Sequence, residues 1–328
     1  TNEVKNAEIA VFDQSNDVAT TTIINEINAS RYFKVIKNLH SYKEIGATFR
    51  QGKIRLAVVF PPNFQDNLLQ KNYAQIQLIA DASDPNTANT LTNYATAIIH
   101  DYQQSLNQNK DLPYTITTNL RMLYNPELKS SYSFVPGVMA LVLMLVCAMM
   151  TSIAIVREKE LGTMEVILVS PLKPFRIIIA KTIPYLAVSI FNIACILLLS
   201  VYVLNVPING SLVLLVLESI LFTITALAIG ILISNGAKTQ QSAMFTSLLS
   251  LFLPTLLFSV FLFPIESMPW PLQVISNIVP AKWYYIIVES VMIKGLGFWA
   301  VWKETLILVI MTLALLGISI RNFKIRLT

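Results

Sequence analysis

Crossing a hydrocarbon layer about 30 Å thick takes about 20 helical residues, and four apolar runs of that length stand in this sequence: Phe134 to Val156, Ile177 to Asn205, Leu212 to Ile233 and Ala243 to Phe263. A fifth run, at about 303–320, is shorter because only Thr305 to Ile320 is uncharged. Trp299 and Trp302 at one interface and Arg321 snorkelling to the other make it long enough. Pro184 and Pro254 fall inside spans, where a kink is tolerated if neighbouring groups satisfy the freed carbonyls. With 54% apolar residues, 13% charged residues and a mean hydropathy of +0.59, the chain is too greasy for a soluble domain of this size. The expected fold class is an α-helical polytopic membrane protein.

Charge divides the chain in two. Residues 1–130 hold 12 of the 24 Lys and Arg and 12 of the 19 Asp and Glu, so the whole net charge of +5 belongs to residues 131–328. Basic residues confined to the edges of apolar runs suit anionic lipid head groups and membrane orientation, not nucleic acid. Arg157, Lys159, Lys173, Arg176, Lys181, Lys238, Arg321, Lys324 and Arg326 fall on one side, against Lys282, Lys294 and Lys303 on the other. The richer side is expected to be cytoplasmic. Five crossings with a cytoplasmic carboxyl end place residues 1–130 outside the cytoplasm of a multi-pass inner-membrane protein. The sequence opens at Thr1 without a signal peptide, so a sixth span preceding it is expected.

Residues 1–130 alternate strand and helix patterns. Strands are expected at 7–12, 33–39, 54–60, 75–80 and 114–123, and helices at 18–29, 41–51, 63–71 and 86–106. Such alternation predicts a parallel or mixed sheet covered by helices. His40 and His100 stand far apart without carboxylates at ligand spacing, which favours surface positions over a metal site. Cys147 and Cys195 both lie in apolar runs. No nucleophile elbow, phosphate loop or zinc motif occurs, so no catalytic, cofactor-binding or metal-ligating residue is expected.

Two segments and one residue carry the functional argument. The loop at 157–174 reads Arg157-Glu158-Lys159-Glu160-Leu161-Gly162-Thr163-Met164-Glu165, and then Pro171-Leu172-Lys173-Pro174. As a helix it would gather Leu161, Met164 and Leu168 on one face and Glu158 and Glu165 on another, before the prolines start the next span. A plain charged loop anchored by lipid would look similar. The segment at 264–300 opens with Pro264-Ile265-Glu266-Ser267-Met268-Pro269 and continues through Val279-Pro280 to Trp283, Tyr284 and Tyr285. Its stretch from Ser267 to Ala281 is uncharged but too short to cross, which predicts a re-entrant or interfacial hairpin on the outer side. Glu266, Glu289 and Lys294 are read there as surface or interfacial charges. Glu218 is the one acidic residue read as lying inside a span, and an intramembrane carboxylate costs about 3 kcal/mol on insertion scales. Both an interhelical hydrogen bond and a place on a substrate path would relieve that cost.

Arg157, Glu158, Glu160, Gly162, Thr163, Glu165, Pro171 and Leu172 resemble the cytoplasmic coupling segment of the type-2 permeases of ATP-binding cassette exporters. Pro264, Glu266, Met268, Pro269 and Pro280 resemble that family's outer hairpin. An Ala-Val-Phe-Asp-Gln strand at 10–14 is usual in its subgroup with a large exterior domain. Val279 stands where Asn is frequent, and the usual first span is not in this sequence. The resemblance implies a permease that pairs with a second copy or paralogue and docks an ABC ATPase subunit, with ATP and magnesium held by that partner and no cofactor in this chain. A periplasmic adaptor protein is a further implied partner. The cargo would be a hydrophobic or amphipathic drug, lipid or lipid-linked molecule. The competing readings are a membrane-anchored sensor or scaffold, which calls for a cytoplasmic output domain, and an ion-coupled transporter, which calls for more than one ionisable group within the spans.

Overall fold

The computed structural model describes residues 4–108, 113–163, 174–259 and 268–322. The chain divides into two compact units, one formed essentially by residues 1–132 and the other by most of the remainder.

The first unit is an α/β domain. In chain order it runs β1 (Ala7–Asp13), α1 (Val18–Ala29), β2 (Phe33–Asn38), α2 (Tyr42–Arg50), β3 (Leu56–Phe60), α3 (Phe64–Lys71), β4 (Tyr73–Asp81), α4 (Pro85–Asn107) and β5 (Thr115–Leu123). The strands form one mixed sheet of order β2-β1-β3-β4-β5. All neighbours are parallel except β3 and β4. The exception falls at the shortest of the strand connections, the one that holds the eight-residue α3.

Strand periodicity sorts the core into two layers. Ile9, Val11, Leu56, Val58, Ile76 and Leu78 face α1, α3 and α4, while Ala10, Phe12, Ala57, Val59 and Ile79 pack on Ile45 and Phe49 of α2. The central β3 is buried at every position because both its faces are covered. His40 and His100 are exposed, in line with the surface reading.

Asp17 ties this domain's loops together. One carboxylate oxygen accepts from the Thr20 amide at 2.8 Å to cap α1, and the Asp17 amide donates back to Thr20 Oγ1 at 3.2 Å. The other oxygen accepts from the Gln65 amide at 2.8 Å and from Ser15 Oγ at 2.5 Å. Asn63, at the head of α3, supplies no side-chain cap, so the start of α3 is capped from the β1–α1 loop instead. Partial burial works to raise the Asp17 carboxyl, but the bonds from Ser15, Thr20 and Gln65 outweigh it and hold the group below its ordinary 3.8.

The second unit contains five helices long and apolar enough to cross a membrane: α5 (Ser131–Glu160), α6 (Pro174–Tyr202), α7 (Leu212–Gly236), α8 (Gln240–Phe258) and α11 (Phe298–Asn322). Two shorter helices, α9 (Trp270–Ser276) and α10 (Pro280–Val288), precede α11, and α10 leads directly into a π-helical turn at Glu289–Ile293. The five spans match the apolar runs in the sequence, with one correction. The last helix begins at Phe298, so the fifth span is not short, and Lys303 and Glu304 lie within it. A charge that the surroundings can accommodate does not end a helix.

α7 and α11 form the most extensively packed helix pair, and their hydrogen bonds fix its sense. Thr305 donates to Glu218 at 2.7 Å, Thr225 and Thr312 share a bond of 2.6 Å, and Ser319 donates to the Ala228 carbonyl at 3.0 Å. Residue numbers rise together on both helices, so the two run parallel, with Glu218 and Thr225 facing Thr305 and Thr312 at a seven-residue repeat. α5 comes close to α7 at Gly230, where an added Cβ would meet the Ala148 carbonyl oxygen at 2.4 Å.

The π turn corrects the surface reading of Glu289 and Lys294. Both side chains are buried, at 8% and 7% exposure, and they pair at 3.2 Å. On an α-helix, positions five apart point about 140° away from each other. The wider turn, closed by the Lys294 amide on the Glu289 carbonyl at 3.1 Å, brings them onto one face. The loop between α6 and α7 satisfies the carbonyls this turn frees. The Asn209 amide donates to the Met292 carbonyl at 2.9 Å, and Asn209 Nδ2 donates to the Ile293 carbonyl at 2.8 Å.

Two outcomes follow from these contacts. Asp17→Ala removes the caps of both α1 and α3, worth about 1–2 kcal/mol, so hydrogen exchange of their first-turn amides in the intact protein should accelerate about five- to thirtyfold. Because the folded Asp17 carboxyl is held below its ordinary 3.8, this stabilisation is complete above that pH and is lost as the pH falls through the lower folded-state value. Lys294→Met strands a buried carboxylate at a cost of about 3–5 kcal/mol and should lower the unfolding temperature of the detergent-solubilised protein. The double change Glu289→Gln with Lys294→Met should recover most of that loss, whereas a single variant as stable as the parent would show that the pair contributes little.

Candidate functional site

The expected coupling segment begins as helix, not as a separate loop. Arg157, Glu158, Lys159 and Glu160 form the last turn of α5. The chain then breaks at Leu161 and Gly162, where Gly162 adopts φ +72°, a left-handed conformation that glycine accepts without a Cβ penalty. A left-handed residue interrupts the α-helical repeat between Leu161 and Thr163. Met164, Glu165, Leu168, Pro171, Leu172 and Lys173 lie outside the described residues. Thr163 Oγ1 donates to the Glu158 carboxylate and, at 3.2 Å, to the Glu158 carbonyl. This folds the turn back on the helix end.

Two neighbouring side chains of that turn reach other spans. Lys159 Nζ donates to the Ser234 carbonyl at 2.6 Å, meeting one of the last carbonyls of α7. Glu160 Oε2 accepts from the Gln240 amide at 2.9 Å and from Gln240 Nε2 at 3.0 Å, at the first residue of α8. The tail of α5 thus holds the end of α7 and the start of α8. Val156, Ala237 and Ala243 form a small apolar cluster beneath the joint. Lys159 and Glu160 act here inside the chain, and the exposed Arg157 and Leu161 remain available at the surface.

In the expected outer hairpin, Pro264 and Glu266 lie outside the described residues, and Met268 and Pro269 lead into α9. Pro280 opens α10, where its missing N–H costs nothing. Lys282 folds back to donate to Asn277 Oδ1 at 2.6 Å and Ser276 Oγ at 3.1 Å, closing the α9–α10 turn. Tyr284 and Tyr285 are buried. Tyr284 stacks on Phe222 of α7 with centroids 4.1 Å apart, and its hydroxyl shares a 2.7 Å bond with Ser219. The hairpin is thereby fastened to the helix that carries Glu218.

Glu218 is 3% exposed. Its Oε1 accepts from Thr305 Oγ1, while Oε2 is buried and, among the described residues, has no hydrogen-bond partner. Glu304, which precedes Thr305 on α11, is half-buried, and its Oε2 is likewise shielded without a partner among them. Glu218 is therefore not the one acidic residue within a span.

The α/β domain offers an open groove of about 520 Å³ beyond the carboxyl ends of β1 and β3, lined by residues such as Ser15, Asn16, Asp17, Asn63 and Asp66. Strand order reverses there, a position where α/β sheets often bind ligands. The Asp17 carboxylate at its floor is already committed to the two helix caps.

The family model described as ABC-2 family transporter protein matches residues 1–321. Over 310 residues the chain is 31% identical to the probable multidrug ABC transporter permease YbhR of Escherichia coli (strain K12), an overlap of 94% of this chain and 84% of that protein. It is 33% identical over 256 residues to the probable multidrug ABC transporter permease YbhS of the same organism, covering 77% of this chain and 68% of the relative. The inner membrane transport permease YhhJ, also from that organism, is 28% identical over 323 residues, covering 97% and 85%. A multi-pass helical unit, an α/β domain and a family match spanning nearly the whole sequence agree, and the chain belongs to the ABC-2 family of transporter permeases.

Proposed function

We propose that this chain is the membrane-spanning subunit of an ATP-driven exporter, one of two permeases that each receive a cytoplasmic ABC ATPase at residues 157–174. The observation that carries the proposal is the joint at the end of α5. Lys159 and Glu160 fasten the helix leading into the coupling segment to α7 and α8 at once. A displacement imposed on Glu158, Glu165, Pro171 and Leu172 by the partner would therefore be passed to three spans together. ATP hydrolysis belongs to that partner, and this chain's part is to convert its motion into a change of helix packing.

Parallel packing of α7 and α11 supports the orientation. Two parallel spans require that the chain between them crosses once, as α8 does, and that α9 and α10 return to the side they left. The excess of basic residues then supports a cytoplasmic carboxyl end and extracytoplasmic residues 1–130. The multidrug naming of YbhR and YbhS supports an amphipathic drug-like cargo over a lipid-linked polymer. The open groove of the α/β domain is the surface we assign to a periplasmic adaptor protein.

Changing Glu158 and Glu165 together to Lys should weaken ATPase capture about thirtyfold, equivalent to about 2 kcal/mol for a disrupted interfacial charge contact. Copurification of the ATPase with the tagged permease measures this. A complex recovered in unchanged yield would reject the coupling role of the segment.

A further inference from the structure

The α/β domain is neutral only on average. Residues 31–55, which make β2, α2 and the approach to β3, hold seven of the twelve Lys and Arg of residues 1–130 but one of their twelve Asp and Glu. The rest of the domain carries the opposite excess. Strand pairing places part of this charge along one line across the sheet. Lys34 stands opposite Glu8 in the β1–β2 register, the Arg55 amide donates to the Glu8 carbonyl at 2.9 Å, the Asp81 amide donates to the Arg55 carbonyl at 3.0 Å, and Asp81 stands opposite Leu123. The line therefore lies where β5 ends. β2 and β3 both run parallel to β1, so α2 must return the chain to this same end, and it delivers Arg50 and Lys53 there. Arg31, just before β2, completes the group. Arg31, Lys34, Arg50 and Lys53 are exposed, and among the described residues Lys34, Arg50 and Lys53 make no ion pair. Glu8 is the one exposed carboxylate on the line, since Asp81 is buried.

Two observations select the partner. The cations stand on an edge strand, a helix end and a loop, an arrangement that faces a surface of many phosphates better than it encloses one small anion. The chain also leaves the domain at this end. Tyr124 to Ser130 join β5 to α5, the first span, and those seven residues reach less than about 30 Å even when fully extended. A lipid surface is thus held at high effective concentration beside the cations, so a contact too weak to capture a free ligand suffices. We propose that Arg31, Lys34, Arg50 and Lys53 form a docking face for the anionic phospholipid head groups of the bilayer that holds the spans. Docking of this kind needs the spans in a membrane but not the ATPase, so it stands apart from the coupling role of residues 157–174.

Lysine labelling of the intact permease in nanodiscs tests it, with discs of phosphatidylcholine alone compared with discs that also contain phosphatidylglycerol. Lys34 and Lys53 should react with the uncharged reagent N-hydroxysuccinimidyl acetate about fivefold or more slowly in the anionic discs, read by peptide mass spectrometry. Lys71 is exposed at the opposite end of the sheet, just before β4, and should react alike in both. Salt at about 1 M, where the screening length falls to about 3 Å, should abolish the difference. Arg50→Gln combined with Lys53→Gln should return Lys34 in anionic discs most of the way to its rate in neutral ones, with the unfolding temperature unchanged because both side chains are exposed. Equal labelling in the two lipids, or equal slowing at Lys71, would overturn the proposal. So would a slowing that is the same in both lipids and appears only with a copurifying protein bound, which would give the face to an acidic protein partner.

Discussion

Every backbone polar group inside a hydrocarbon layer must find its partner within the protein, because no water is present to take its place. That constraint organises the helical unit more than hydrophobic burial does, since lipid tails solvate leucine as well as a protein core would. Small residues and hydroxyls therefore mark the contacts. Gly230 lets α5 reach the α7 backbone, and the Thr225–Thr312 bond with its neighbours sets the register of α7 on α11. Where a segment departs from the α-helix, at the π turn, its carbonyls are met by Asn209 from another loop. Irregular backbone survives there because specific donors reach it.

Much of this architecture was legible in the sequence. Apolar run length located all five spans, and alternating strand and helix patterns located the five strands of the sheet. What escaped was geometry that depends on a partner. The pairing of Glu289 with Lys294 requires a π turn, and five-residue spacing argues against contact on an ordinary helix. Glu304 was taken for the edge of a span because composition registers charge and not the neighbour that shelters it. The antiparallel β3–β4 pair falls at the shortest strand connection, and strand direction is something alternation alone does not encode.

The segment proposed for coupling divides along the same line. Arg157, Glu158, Glu160, Gly162 and Thr163 are recognisable as a motif, yet their pattern does not say which of them face a partner and which hold the chain together. The structure assigns Lys159 and Glu160 to internal work, one at the carbonyl end of α7 and the other at the amide end of α8. Each charge sits at the helix end whose dipole favours it. A charged motif at a membrane surface can thus serve two purposes, and only the hydrogen bonds tell the residues apart.

This division bears on how motion could pass through the helical unit. α5 and α7 bury about half of their most apolar stretch inside it, whereas α6, α8 and α11 bury about a fifth. α7 is the helix on which most of the others pack, and α11 is pinned to it by the hydroxyl and carboxyl ladder. α8 carries a face of exposed apolar side chains that includes Phe245, Leu249 and Leu253. A force applied beyond Gly162 would find in Lys159 and Glu160 hydrogen-bonded levers on the last turn of α7 and the first turn of α8. The polar ladder holds only in register. Movement delivered at the end of α5 is therefore expected to reach α7 and α8 together through Lys159 and Glu160, with α11 following α7 through the ladder.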